Sequence, residues 1–228
     1  MVHQTTVKDI RNQFLALYEE DNILKSAKNS LSGNRTVEII GASFIANEPS
    51  IFGSPNNEYI GRELKWYMSE SRDVREIEGK TPKIWLDVAD DFYKINSNYG
   101  YLIFNNDNHN QFENVAQTLI NDASSRRAIM IYTRPTMHQD YNRDNMNDFI
   151  CTNTVQYLIR DNTLKVIVNM RSNDAIFGYA NDYAWAAFIQ KNLLDRINAE
   201  TNSNLVLGDI VWQVGSLHIY EKHFYYLD

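Results

Sequence analysis

The sequence is poor in the residues that mark several protein classes. It has one cysteine, Cys151, so no disulfide can close within the chain and no cysteine-based zinc site is available. Four prolines and nine glycines are scattered singly, leaving no linker-like stretch, and no internal repeat is present. The longest apolar runs, such as Ala184 to Ile189, fall far short of the ~20 residues of a membrane-spanning helix, so no membrane association is expected. The opening residues, Met1 to Asp9, carry no apolar secretory core, and a reducing, cytoplasmic setting is the expectation. Positive charge is also short: 22 Lys+Arg stand against 29 Asp+Glu, a formal net charge of −7. A general nucleic-acid binder needs clustered cations to displace counterions, so direct nucleic-acid binding is not expected. A small phosphate ligand needs a few placed arginines and stays open. No Walker loop, GxGxxG, HExxH or GxSxG motif occurs.

What is present is an ordinary globular composition, 43% hydrophobic and 22% charged over 228 residues. A chain of this length buries roughly 70% of its unfolded surface, and one domain spanning residues 1–228 is expected. Thr6 with Asp9 makes a capping-box-like start to an amphipathic helix carrying Ile10, Phe14, Leu17 and Tyr18 and ending near Ala27. A polar turn or loop follows from Lys28 to Arg35, then a strand from Thr36 to Ile40 and a helix from Glu58 to Tyr67. Ala128 to Tyr132 reads as a strand. Val155 to Arg160 and Leu164 to Asn169 read as a hairpin joined by Asp161-Asn162. A long helix from about Asp182 to Asn198 repeats Trp185, Ile189, Leu193 and Ile197, and Val206 to Val214 and His218 to Tyr226 read as two closing strands. Helices and strands mix without strict βαβ alternation, which predicts an α+β fold.

Among residues that can carry chemistry, Cys151 is either a buried inert thiol or, with cations nearby to lower its pKa, a nucleophile. The pairs Arg126-Arg127 and Arg171-Ser172 are either solvated charge or bidentate phosphate ligands with a hydroxyl alongside. Glu63 reads as one half of an exposed i,i+4 ion pair or as a functional carboxylate. Asp182 reads as a helix cap or as a base-reading group. His218 and Tyr220 alternate on a strand, so they share a face and can grip one ligand together or sit satisfied in the core.

The order Arg62-Glu63-Leu64-Lys65-Trp66-Tyr67, Ile84-Trp85, Asn98-Tyr99-Gly100, Ser125-Arg126-Arg127, Cys151, Arg171-Ser172-Asn173-Asp174, Gly178 and His218-Ile219-Tyr220 resembles the thymidylate synthase superfamily. The likeness runs from about Thr36 to Tyr226. The stretches Thr36 to Phe44, Cys151 to Arg160 and Asn169 to Asp174 are similar to the branch that hydroxymethylates dCMP. The resemblance implies a thymidylate synthase-like fold with a mixed β-sheet packed by helices, and 5,10-methylenetetrahydrofolate as co-substrate with no metal. The implied reaction adds the Cys151 thiolate to C6 of the pyrimidine, attaches a one-carbon unit at C5, and lets water complete it as CH2OH.

The implied roles follow position by position. Glu63 organises water and proton transfer, and Tyr99 lies near the C5 proton. Arg171 and Ser172 bind phosphate, with Asn173 beside them. Arg126 and Arg127 reach the phosphate of a neighbouring subunit, which implies a homodimer with shared sites. His218 and Tyr220 bond the sugar 3′-hydroxyl. Trp85, Asp174 and Gly178 match folate-binding positions. Asp182 stands where thymidylate synthases carry Asn, Thr152 where they carry His, and Val88 where a second tryptophan stands. Their early basic phosphate ligand aligns with Leu31, with Lys28 and Arg35 as nearby cations. An ionised carboxylate at 182 suits the 4-amino group of cytosine and an N3 that gains a proton, and repels O4 of uracil. The same chemistry on dUMP or CMP, and a nucleotide- or RNA-binding relative without turnover, are the alternatives.

Overall fold

The computed structural model describes residues 4–19 and 35–228. The chain enters α1 (Val7–Glu19) through Thr6, whose backbone N–H and hydroxyl donate to the Asp9 carboxylate at 2.8 and 2.7 Å. The expected run of this helix to Ala27, and Lys28, Leu31, Gly33 and Asn34, lie outside the described residues. Then come β1 (Thr36–Ile45), α2 (Asn57–Met68), α3 (Lys83–Val88), α4 (Tyr99–Phe104) and α5 (Gln111–Asn121). The second half holds β2 (Ile129–Ile131), α6 (Met137–Asp140), β3 (Thr152–Arg160), β4 (Thr163–Asp174), α7 (Gly178–Thr201) and β5 (Val206–Tyr220).

The strands form one sheet in the order β1-β5-β4-β3-β2, with β4 and β5 parallel and the other neighbours antiparallel. A parallel pair needs a crossover, and α7 supplies it, so the α+β expectation of a mixed sheet packed by helices holds. The β3–β4 hairpin turns on Asp161 and Asn162, both left-handed at φ 53° and 59°, the geometry that follows the strand twist. Alternation along β4 buries Leu164, Val166, Val168 and Met170 on one face. That face lies under α7: the ring of Tyr179 packs 5.3 Å from Trp212 of β5 and 5.9 Å from Phe44 of β1. Gln190 of α7 donates to the Leu164 and Gly208 carbonyls at 2.7 and 2.9 Å, fastening the helix to both parallel strands. At the far edge, Gln111 serves the backbone of β2 as a strand would, accepting from Ile131 N–H and donating to its carbonyl, 2.7 and 2.8 Å.

Two expectations need correction. Val206 to Val214 and His218 to Tyr226 are not two strands: β5 runs unbroken from Val206 to Tyr220, and Glu221–Tyr226 is a 3-10 helix. Gly215-Ser216 looks like a turn in sequence, yet a Cβ on Gly215 would sit 2.8 Å from the Arg171 carbonyl oxygen. The glycine serves close strand contact there, not reversal. Nor does α7 begin at Asp182. It begins at Gly178, after a turn in which the Asp174 carboxylate accepts from the N–H groups of Ile176, Phe177 and Gly178 at 3.0–3.2 Å. The capping reading of Asp182 is thereby excluded.

Candidate functional site

The site lies where the start of β3, the end of β4, the first turns of α7 and the inner face of α2 meet. Cys151 precedes β3, and its carbonyl accepts from the Arg171 N–H of β4 at 2.9 Å. The Arg171 guanidinium folds back onto this segment. It donates to the Ile150 and Phe149 carbonyls at 3.0 and 2.5 Å, stacks 5.0 Å over the Phe149 ring, and lies 3.4 Å from the Cys151 sulfur. Burial pushes the thiol up to about 11; the Arg171 charge opposes the rise, while Asp182 and Asp148 add to it. Without ligand the thiol is therefore protonated at neutral pH.

Glu63 of α2 is buried, which excludes the exposed ion-pair reading; Arg62 pairs with Glu58 instead. Its Oε1 accepts from the Tyr59 hydroxyl at 2.5 Å and from the Trp85 indole at 3.2 Å. Burial pushes its carboxyl up to about 7 against those two bonds. On α7, Asp182 accepts from the Asn173 amide at 2.8 Å. Burial first, and the charge of Glu63 second, push Asp182 up to about 8. Two acids of raised pKa thus face one another beside a thiol, a pattern that marks functional sites.

Tyr99 is held from three sides. Its ring stacks on Tyr67 at 5.2 Å and meets Tyr132 edge-on at 5.2 Å, and its hydroxyl accepts from Thr152 at 3.0 Å. Gly100 makes this possible: a Cβ there would lie 1.7 Å from the Tyr67 carbonyl, so α4 presses directly onto α2. Asn173 has its amide N–H on Asp182 and its oxygen on the Trp212 indole at 3.2 Å. Ser172 pairs across β5 with Ser216, and Asp174 with His218. His218 is buried, which holds its imidazole below the ordinary pKa, and Tyr220 meets it edge-on at 4.8 Å. The expected common face of these two is present. Gly178 opens α7, where a Cβ would press to 3.2–3.3 Å against Asp174 and Asn173.

Arg126 and Arg127 do not join this group. Ile129 pairs with Gln156, so the two arginines lie roughly 20 Å from Cys151 along β3 at ~3.3 Å per residue. Both are exposed, and among the described residues their guanidinium groups have no hydrogen-bond or ion-pair partner; Arg127 borders a shallow cleft of about 180 Å³ with Gln111 and Asn114. Arg35 is paired with Glu221 at 2.8 Å.

Sequence reasoning missed two supporting residues. Buried Asp148 accepts from the Asn96 and Ser97 N–H groups at 2.7 and 2.6 Å and from the Ser97 hydroxyl at 2.6 Å. It ties the segment entering Tyr99 to the segment entering Cys151. The other is Tyr59, one helical turn before Glu63; that i,i+4 spacing was the available signal. Among the described residues no helix is long and apolar enough to cross a membrane, and no cluster of three His, Cys, Asp or Glu side chains could hold a metal.

The chain belongs to the thymidylate synthase family, whose model matches residues 56–228. It is 51% identical over 225 residues to the deoxycytidylate 5-hydroxymethyltransferases of Enterobacteria phages T4 and T2, covering 98% of this chain and 89% of each relative. It is 24% identical over 225 residues to a thymidylate synthase of Francisella tularensis subsp. holarctica, covering 92% of this chain and 79% of that one.

Proposed function

We propose that residues 1–228 act as one catalytic domain that moves a one-carbon unit to C5 of dCMP and adds water, giving 5-hydroxymethyl-dCMP and tetrahydrofolate. The carrying observation is Asp182: a half-buried carboxyl bonded by Asn173, with its charge felt by the Cys151 thiol, where thymidylate synthases carry an amide. The likeness to two phage enzymes named for this reaction supports it.

When bound, 5,10-methylenetetrahydrofolate supplies the one-carbon unit. The residues fit such a flat, amphipathic molecule: the Trp85 indole is held against Glu63, large apolar side chains at Ile84 and Phe177 are exposed (62% and 48%), and Asp174 and Gly178 lie at the turn into α7. Cys151 gives up its proton as Sγ bonds to C6, with the Arg171 charge beside the sulfur favouring the thiolate. Asp182 accepts from the 4-amino group while the proton released by the thiol ends on N3, so C5 gains the electron pair that forms the new carbon–carbon bond. Tyr99, held by the Thr152 hydroxyl, lies on the path of the departing C5 proton. Glu63 takes a proton from the water whose oxygen bonds to the exocyclic carbon, and Sγ leaves C6. Val88 in place of a second tryptophan leaves room for that water. His218 and Tyr220 hold the sugar, and Arg171 and Ser172 the phosphate.

A homodimer with shared sites is part of this proposal. The face of the sheet opposite α7 carries two rows that cross every strand: Ile129, Gln156, Ile167, Val211 and Ile45, then Ile131, Thr154, Asn169, Gln213 and Ser43. Ile129 and Ile131 are exposed (37% and 54%). A mainly apolar row, broken by Gln156, beside a mainly amide and hydroxyl row, broken by Ile131, suits a second copy related by a two-fold axis. It would also bring unpaired Arg126 and Arg127 to another copy's phosphate.

The test is tritium release from C5-labelled dCMP, dUMP and CMP in the presence of the folate, with mass analysis of the products. Hydroxymethyl-dCMP with tetrahydrofolate is the expected pair. Dihydrofolate as co-product, or no release from folded protein, overturns the proposal.

A further inference from the structure

Glu63 has two unequal oxygens. Oε1 receives the Tyr59 hydroxyl at 2.5 Å and the Trp85 indole at 3.2 Å, and the same indole also donates to the Tyr59 oxygen at 2.8 Å. The three groups close a small ring of hydrogen bonds at one oxygen. Oε2 makes no hydrogen bond among the described residues, yet it is not among the buried polar atoms left without a partner, so it keeps contact with solvent. Tyr59 and Glu63 lie one turn apart on α2, so the phenol reaches the carboxylate with no rearrangement of the helix. The Arg62 guanidinium stands 5.6 Å over the Tyr59 ring and donates to the Lys80 carbonyl at 2.6 Å, which closes the other side of the phenol. The phenol itself is held protonated, because burial and the charge of Glu63 both push its pKa up.

We propose that Tyr59 is a positioning residue for the hydration step: its phenol pins Oε1 of Glu63 so that Oε2 alone faces the water. The inference rests on the proposed reaction, but its geometry does not. A donor on Oε1 stabilises the ionised carboxyl, so losing the phenol must raise the Glu63 pKa, and strengthening the phenol as a donor must lower it. A residue that merely filled space would do neither.

The measurement uses Trp85 as an internal reporter, because its indole touches both groups. In the full chain without ligand, tryptophan fluorescence titrated with pH should show a step near 7 that Glu63→Gln abolishes. Tyr59→Phe should move this step upward by about half to one pH unit, as loss of one charge-assisted bond requires. Replacing Tyr59 by 3-fluorotyrosine, a better donor of nearly the same shape, should move it downward. The acid limb of kcat for hydroxymethylation should shift in the same sense, with the KM for dCMP within about twofold. If the step stays at the wild-type pH in both folded variants, Tyr59 does not position Glu63. If wild type shows the step but makes no hydroxymethyl product, the reaction assignment fails and the positioning stands.

Discussion

The two ends of the site are built differently. At the end that faces the base, Glu63, Asp182, Tyr99 and Asn173 are already joined to one another or to their neighbours within one chain. At the end proposed to bind phosphate, Arg171 is folded onto the thiol segment, while Arg126 and Arg127 are exposed with no partner among the described residues. Desolvation explains the contrast. A buried carboxyl left without donors costs several kcal/mol, so the base-reading groups must be satisfied before ligand arrives. A guanidinium in water costs nothing while it waits. On the proposed reading, the chain preassembles its acid–base chemistry and leaves anion recognition to be completed by substrate and by a second copy.

The largest expected effect tests the thiol on which both ends converge. Cys151→Ser should lower turnover by roughly a thousandfold or more while nucleotide affinity stays within about tenfold, ~1.4 kcal/mol. Turnover at the wild-type rate would remove Cys151 from the mechanism. The next tests the division of labour between chains. Arg126→Ala and Cys151→Ala homodimers should each be inactive, and an equal mixture should recover about a quarter of wild-type activity, because half the dimers are mixed and each holds one intact site. Mixed dimers without activity would place the phosphate ligands within one chain.

The same contrast governs what could be read from the sequence. Cys151, Arg171, His218 and Tyr220 were legible because their chemistry is rare or their spacing puts them on one face. The position of Asp182 was legible, but its protonation was not: the sequence suggested an ionised carboxylate, and burial near Glu63 holds it up to about 8. Asp148 looks like any surface acid until the fold closes Asn96 and Ser97 around it. β5 runs through Gly215 instead of breaking into two strands, because the glycine lets it pass close to the Arg171 carbonyl. Most elements were recoverable from periodicity; the parallel β4–β5 pairing depends on contacts that periodicity does not encode.

Asp182 gives a sharper test of the base end because its state changes with pH. As a neutral acid it can offer O–H to O4 and its carbonyl oxygen to N3–H of uracil nearly as well as it serves cytosine. As a carboxylate it serves the 4-amino group and repels O4. The dCMP/dUMP preference in kcat/KM should therefore widen as pH rises through about 8, reaching roughly tenfold to a few hundredfold, the ~1–3 kcal/mol of one mispaired polar contact. Asp182→Asn should shift preference toward dUMP and flatten the pH dependence. A ratio unchanged by the substitution would move base selection elsewhere in the site.

The smallest effect concerns stability and separates the two ends most cleanly. Glu63 is held up to about 7 by burial, above the ordinary glutamate value of 4.5. A carboxyl whose folded pKa exceeds its unfolded one binds more protons in the native state, so its contribution is full below pH ~4 and is lost as pH rises through 7. At pH 8.5 the native protein holds an ionised, desolvated carboxyl that the unfolded chain would place in water. Glu63→Gln keeps the shape and an acceptor for Tyr59 and Trp85 but removes that charge. It should raise the stability of ligand-free protein at pH 8.5 by roughly 1–3 kcal/mol, ~3–8 °C in Tm for a chain of this size, with the gain fading toward pH 4. Arg126→Ala removes an exposed charge with no partner among the described residues and should leave the melting curve within about 0.5 kcal/mol at both pH values. Thermal melts of the three proteins across pH 4–9 decide the matter. A Glu63→Gln gain that is equal at pH 4 and 8.5 would mean that packing, not ionisation, sets the effect, and the base end would then carry no electrostatic strain to distinguish it from the phosphate end.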